Sequence, residues 1–395
     1  MRRLVFPVLA LALAGCKYVD PDFPPAPPSS TRLPTAEDDV QYESMNEFAF
    51  GLAHEIGLSD GVICPLAVNQ SLAVLLNGSD GETYKALSDV LGVGGVGTEA
   101  FNASHRSLLN RLNSASGSPL QMAVSLWTVW PMVLDEGYID DMGAQYGASV
   151  TRIGGYRIEA VRMVNDWADE RTAGEVTTII DRLSKEDVIL LISVAVFDGE
   201  WETPFRLEAQ SSPFHSAGHD VDVRLMNGNG EYRYYQGDDL QAVALPYAGG
   251  VFEMVALLPS EGSDIGALVD QMDANRLQEI VEEMEPASGI VRIPRFTMQS
   301  DYELSTVVSD MGGQVLFGKT NNFRQMSIEM DRGYGVSRLT HRAIVRVGAS
   351  GRAAASPGGD PGQFEFRADR PFLFVIVETQ TGAIVMLGVV SEPRA

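Results

Sequence analysis

The chain has 395 residues, 45% of them hydrophobic, and a formal charge of −24. That length and apolar content bury a large core, as one big domain or two smaller ones, and exclude a disordered chain. The charge argues against nucleic acid as a partner and favours cationic or neutral ones. The chain opens MRRLVFPVLALALAGCKYVD: two arginines, an apolar run too short for a typical membrane span, and small residues before Cys16.

That opening resembles a bacterial lipoprotein signal, with Leu13-Ala14-Gly15-Cys16 as the lipobox. The resemblance implies that residues 1–15 are removed and that Cys16 carries lipid and holds the protein to a membrane. Lys17 beside it points to an outer-membrane lipoprotein, facing the periplasm or the cell surface. The rival reading is an ordinary secretory peptide with an incidental cysteine. Cys64 is the remaining thiol, and one cysteine makes no internal disulfide. Residues 16–37 are proline-rich without apolar periodicity and read as a stiff tether, so the folded part is expected over 38–395.

Met45, Phe48, Ala49, Leu52, Ala53 and Ile56 follow helical spacing up to Gly57. VICPLAVNQSLAVLLNGSDGETYKALSDVLG then reads as a short strand, a helix with Pro65 in its first turn, and a second helix stopped by Gly92. A further helix is expected at 98–113, and the alternation in PLQMAVSLWTVW predicts a long strand. Helices follow around 136–146 and 157–171. DVILLISVAVFDGEW is a nearly unbroken apolar run, suited to the centre of a sheet covered on both faces. Residues 220–259 are strand-rich, with LPYAGG as a hairpin turn, and a helical pair spans about 264–284. The remainder predicts a strand at 289–298, a helix at 301–312, a strand at 336–347, and strands at 364–367, 371–378 and 382–390. Helices dominate early and strands late, an α+β fold of mixed sheets.

Three motifs are decoys. Gly57-Leu58-Ser59-Asp60-Gly61 has the spacing of a hydrolase nucleophile turn, but here a helix precedes the serine and a strand follows, the reverse of what that turn needs. Gly92 to Gly97 matches a dinucleotide fingerprint but follows a helix, with no acid about twenty residues on. His215 and His219 lie in a turn-like stretch with no third ligand near. No catalytic, metal or cofactor set assembles, so an enzyme is not expected.

Seven segments, in order, resemble the serpin family. These are NQSLAVLLNGSDGETYKAL, VNDWADERTAGEV, SVAVFDGEWETPF, ALPYAGGVFEMVALLP, IPRFTMQSDYELSTVVSDMG, HRAIVRV and FRADRPFLFVIVETQTGAIVMLGVV. The match runs from about 42 to 393. It implies a single domain with a large mixed central sheet, two smaller sheets, eight to nine helices and an exposed reactive loop. It implies a monomer that inhibits serine or cysteine endopeptidases as a suicide substrate: the loop is cleaved, inserts as a new central strand, and drags the attached protease with it. The partner would be a target protease.

On that resemblance GASGRAAASPGGDPGQ, residues 348–363, is the reactive loop. Its hinge is Ala349, Ser350, Gly351, Arg352, Ala353, Ala354, Ala355 and Ser356, small residues suited to sliding between two strands. The bait region is Gly358, Gly359, Asp360, Pro361, Gly362, Gln363, Phe364 and Glu365, because counting from the hinge and counting back from Pro371-Phe372 place the scissile bond differently. The family hinge usually begins Glu-x-Gly-Thr. Here Arg352 takes an inward-facing position, whose burial unpaired costs several kcal/mol, and Pro357 and Pro361 would each remove a ladder hydrogen bond. These departures keep open a non-inhibitory serpin whose loop is cut without trapping. The sheet-opening gate maps to Cys64, Ala67, Ser193, His341 and Trp201, with plain core packing as the alternative for His341 and Trp201.

Overall fold

The computed structural model describes residues 36–394 apart from 95, 115–117, 130–131, 155–157, 217, 320–321, 328–333 and 352–362. The expected signal, Cys16 and most of the expected tether lie outside the described residues. In chain order, α1 (Ala36–Ile56) leads to β1 (Gly61–Ile63), α2 (Pro65–Asn77), α3 (Gly81–Val90), α4 (Gly97–Ser114) and β2 (Leu120–Val129). Then come α5 (Glu136–Tyr146), β3 (Ser149–Ile153), α6 (Ile158–Arg171) and β4 (Ile189–Asp198). Strands β5 (Arg206–Leu207), β6 (Ser212–Ser216), β7 (His219–Val223), β8 (Leu225–Gln236), β9 (Leu240–Pro246) and β10 (Phe252–Pro259) precede α7 (Ile265–Gln271) and α8 (Ala274–Glu283). Next are β11 (Glu285–Pro294), β12 (Phe296–Glu303) and the kinked helix α9, built of Ser305–Val308, Ser309–Gly313 and Gln314–Phe317. The chain closes with β13 (Val336–Val347), β14 (Phe364–Arg367), β15 (Phe372–Glu378) and β16 (Ile384–Val390).

A five-stranded mixed sheet runs β12-β13-β4-β2-β3. The other long strands form one continuous nine-stranded sheet, β1-β16-β15-β10-β9-β8-β11-β14 with β5 beside β8, rather than two separate smaller ones; β8 joins its two parts, its first residues pairing with β11 and its last with β9. β6 and β7 make a separate ribbon. This is the mixed α+β architecture expected, with nine helices among the described residues.

Local chemistry explains the helix boundaries. Pro65 opens α2, and the Asp135 and Asp273 carboxylates accept from backbone N–H groups in the first turns of α5 and α8. At the end of α1, Leu58 N–H bonds back to Ala53 O at 3.0 Å, which accounts for the first decoy as a helix stop. His215 and His219 sit on the β6–β7 ribbon and face Asp220 and Glu392.

The apolar run of β4 is buried from Ile189 to Phe197 because both its faces are covered. Ile189, Leu191, Ala195 and Phe197 belong to the main core, whereas Leu190, Ile192, Val194 and Val196 pack beneath α6 in a second cluster with Trp127 and Trp167. One expectation fails: 301–312 is not one helix. The period-two burial of Phe296, Met298 and Tyr302 carries a strand to Glu303, and the helix begins only at Ser305 and turns at Gly312. The expected strand at 289–298 is likewise two strands in different sheets. Pro294 has no N–H for a ladder, and the chain changes sheets there.

Candidate functional site: two loop anchors and a parallel seam

β13 and β4 run parallel side by side in the middle of the five-stranded sheet, paired from Val336↔Ile189 to Arg346↔Asp198. Just beyond the end of this seam the chain is pinned. Trp201 Nε1–H donates to Gly348 O at 2.6 Å, Phe205 N–H to Ala349 O at 3.0 Å, and Trp201 N–H to Ser350 O at 2.9 Å. Gly351 bridges to Trp201, and a Cβ there would lie 2.5 Å from Pro204 N and 2.8 Å from Trp201 O. No larger residue fits without moving backbone. The glycine of the hinge is thus a close-approach position, which the residue type alone could not distinguish from a flexible one.

Trp201 is buried to 1% exposure, stacked on Tyr247 at 4.3 Å and edge-on to Phe205 at 5.4 Å. Its ring packs in the core while its indole N–H holds Gly348 O at the seam's end.

The other end of the loop is fixed by β14, which pairs in parallel with β11 from Gly289↔Phe364 to Arg292↔Arg367. Gln363 N–H donates to Ser288 O at 2.6 Å. Phe364 stacks on Tyr234 at 3.9 Å, and Glu365 pairs with Arg292. The expected bait region therefore ends too late: Phe364 and Glu365 belong to an anchored strand, because ladder hydrogen bonds and a ring stack already hold them. The other expected bait residues, Gly358, Gly359, Asp360, Pro361 and Gly362, and the hinge residues Arg352, Ala353, Ala354, Ala355 and Ser356, lie outside the described residues.

Midway along the seam, His341 stands directly opposite Ser193. Its Nε2 accepts from Cys64 N–H at 3.0 Å, so that nitrogen carries no proton, and the neutral ring's Nδ1–H donates to Ser193 Oγ at 2.8 Å. Tyr302 lies parallel to the imidazole at 12°. Cys64, Ser193 and His341 are buried and Tyr302 half-buried, and burial pushes the His341 pKa down to about 3. Burial also pushes the Cys64 thiol up to about 12, so it is a packing group beside Met122 rather than a nucleophile. Ala67 is fully buried on α2. The structure thus brings Cys64, Ser193 and His341 together as one hydrogen-bonded set crossing the seam, with Trp201 at its end.

The segment 172–188 crosses the outer face of this seam, and sequence reasoning left its middle, residues 177–186, without a role. Its first turn is held by Thr172, whose hydroxyl donates to Ala168 O at 2.7 Å and accepts from Val176 N–H at 2.9 Å. Asn165 Oδ1 accepts from Ile179 and Ile180 N–H at 2.9 and 3.0 Å. Arg338, Arg342 and Arg346 reach the segment from β13. Their even spacing on one strand, and so one face, was the available signal.

A family model described as "Serpin (serine protease inhibitor)" matches residues 43–393. An uncharacterized serpin-like protein of Thermococcus kodakarensis is 28% identical over the whole of both chains. The leukocyte elastase inhibitor of Bos taurus is 26% identical over 84% of this chain and 92% of its own. Among solved structures, the native state of tengpin, a thermophilic serpin, superposes with a TM-score of 0.83 over 93% of this chain and 97% of its own, at 21% identity, a likeness of fold.

Proposed function

Because the chain belongs to the serpin family, whose members are mostly protease inhibitors rather than catalytic enzymes, we propose that it inhibits serine or cysteine endopeptidases as a suicide substrate. The observation that carries this reading is the seam: two parallel central strands, with the loop's first residues held at its mouth by Trp201 and Phe205. A cleaved loop released from those bonds is positioned to turn into the gap and run antiparallel to both neighbours. Eleven residues, 352–362, separate the two anchors. At strand rise they span roughly 36 Å, against roughly 33 Å for a ten-residue strand such as β4. The reading therefore places the scissile bond at the loop's end, between Gly358 and Gln363. The native state is then held by a barrier rather than by equilibrium.

The test is incubation with a panel of serine and cysteine proteases followed by denaturing electrophoresis. An SDS-stable complex is expected. Clean loop cleavage without complex would favour a second reading, a non-inhibitory serpin-fold protein. Two observations motivate that reading: Arg352 follows a glycine that has no room for a side chain, and two prolines lie in the short loop. We also propose that the protein is an exported monomer tethered by lipid on Cys16 to a bacterial outer membrane. Cys16→Ser should release it from membranes, and continued membrane fractionation would contradict the anchor.

A further inference from the structure

Inserting a strand requires β13 to part from β4, and the segment 172–188 spans that line on the outer face. Its two sides are attached differently. On the β4 side the attachment is apolar: Val176, Ile179 and Ile180 pack with Leu190, Ile192 and Val194, and Asn165 of α6 fixes the backbone, its Nδ2 also donating to Ile180 O at 2.9 Å. This side travels with β4 and α6. On the β13 side the attachment is mostly polar, Ile344 being its apolar contact. Arg338 grips the buried Asp187 with two nitrogens, at 2.8 and 3.1 Å. Arg342, paired on β12 with Asp301, donates to Thr178 O at 2.5 Å. Arg346 pairs with Glu175 and lies 3.9 Å from Asp198 across the seam itself. Ser337 Oγ accepts from Val188 N–H at 2.8 Å and donates to Glu186 O at 3.0 Å.

We infer that Arg338, Arg342 and Arg346 make this segment a latch across the seam and set the rate at which β13 separates from β4. The inference rests on the seam being the insertion point. The geometry distinguishes the latch from ordinary surface ion pairs: three guanidiniums on one face of one strand, each reaching across to a segment that must stay behind. Any opening of a strand's width, about 4.8 Å, breaks all three together. Exposed pairs are screened by salt, so the latch weakens as ionic strength rises.

The experiment is residue-resolved hydrogen exchange on the intact protein at 0.05 and 0.5 M NaCl, for the wild type, R342Q/R346Q and the charge-keeping R342K/R346K. Arg338 is left in place because its removal would strand a buried carboxylate. Three results are expected. Amides bonded across β4–β13 exchange on the order of tenfold faster in R342Q/R346Q than in wild type at low salt. Those between β2 and β4 are unchanged. High salt moves the wild type toward R342Q/R346Q, and R342K/R346K, which keeps both charges, retains part of the protection. Equal seam exchange in all three proteins, or equal acceleration in both seams, would overturn the latch. Trapping of protease is read separately, so failure to form an SDS-stable complex would remove the proposed inhibitory mechanism while the exchange result still decides the latch.

Discussion

Strand β4 has a neighbour on each side, and the two contacts are built differently. With β2 it pairs antiparallel through nine residues, Leu120↔Phe197 to Thr128↔Ile189, and valine, leucine and isoleucine side chains dominate both faces. With β13 it pairs parallel, and beside buried apolar pairs such as Leu339↔Leu191 and Val345↔Phe197 it carries side-chain-to-side-chain polar ties, Ser193 to His341 at the centre and Asp198 to Arg346 at the end. Apolar packing is non-directional and survives small shifts. Hydrogen bonds and ion pairs fail together once geometry is lost. On the proposed mechanism the β2 side of β4 is the joint that stays shut and the β13 side the one that opens to admit a strand.

The comparison can be broken most forcefully at the mouth of the closure. Trp201→Ala removes a buried indole, its stack on Tyr247 and its bond to Gly348 O. It should cost about 3–5 kcal/mol of apparent stability, measured by chemical unfolding, and should raise protease susceptibility at 348–351.

Acid should act next. His341 and His105 are both buried and neutral, each with its pKa pushed down by burial to about 3 from the ordinary 6.5. The unfolded chain takes up those protons first, so the stability contributed by the neutral rings is complete above about pH 6.5 and is lost as pH falls toward 3. Each histidine contributes at most about 1.4 kcal/mol per pH unit within that window, and less near its ends. A melting temperature flat between pH 7 and 4 would contradict this.

His341→Leu sharpens the comparison further. It leaves the buried Cys64 N–H and Ser193 hydroxyl unpaired, a loss of about 1–3 kcal/mol, and should halve the acid slope. Exchange across β4–β13 should rise more than exchange across β2–β4. The smallest effect is expected at the second anchor. A Cβ on Gly289 would lie 2.3–2.5 Å from the Phe364 ring, so Gly289→Ala should push that ring off Tyr234, loosening β14 by about 1–2 kcal/mol. The readout is faster cleavage near 363, with the seam unaffected.

Much of the fold was legible in short stretches where one local rule dominates. LLISVAVF is apolar at every position but one because both its faces are covered, and LPYAGG turns between β9 and β10. The Pro294 change of sheet was missed because apolar residues continue on both sides of it, and only a partner strand shows where one sheet ends. The hydrogen-bonded set at the seam was half legible. His341 opposite Ser193 could be mapped, but Cys64 enters through its backbone N–H, which carries no residue-type signal. The arginines of β13 read as an ordinary exposed face, because their partners lie over 150 residues earlier in a stretch with no regular pattern. The end of the bait region was misjudged because Phe364 and Glu365 look no different as loop or strand until β11 is beside them.

The most direct test of the central claim is the thermal stability of the loop-cleaved protein. One cut between Gly358 and Gln363, mapped by mass spectrometry, should let the loop enter between β4 and β13 and raise the melting temperature by tens of degrees, since a metastable five-stranded sheet becomes a fully paired six-stranded one. A cleaved protein that melts at the temperature of the intact one would show that the seam does not open, and would contradict insertion as the mechanism.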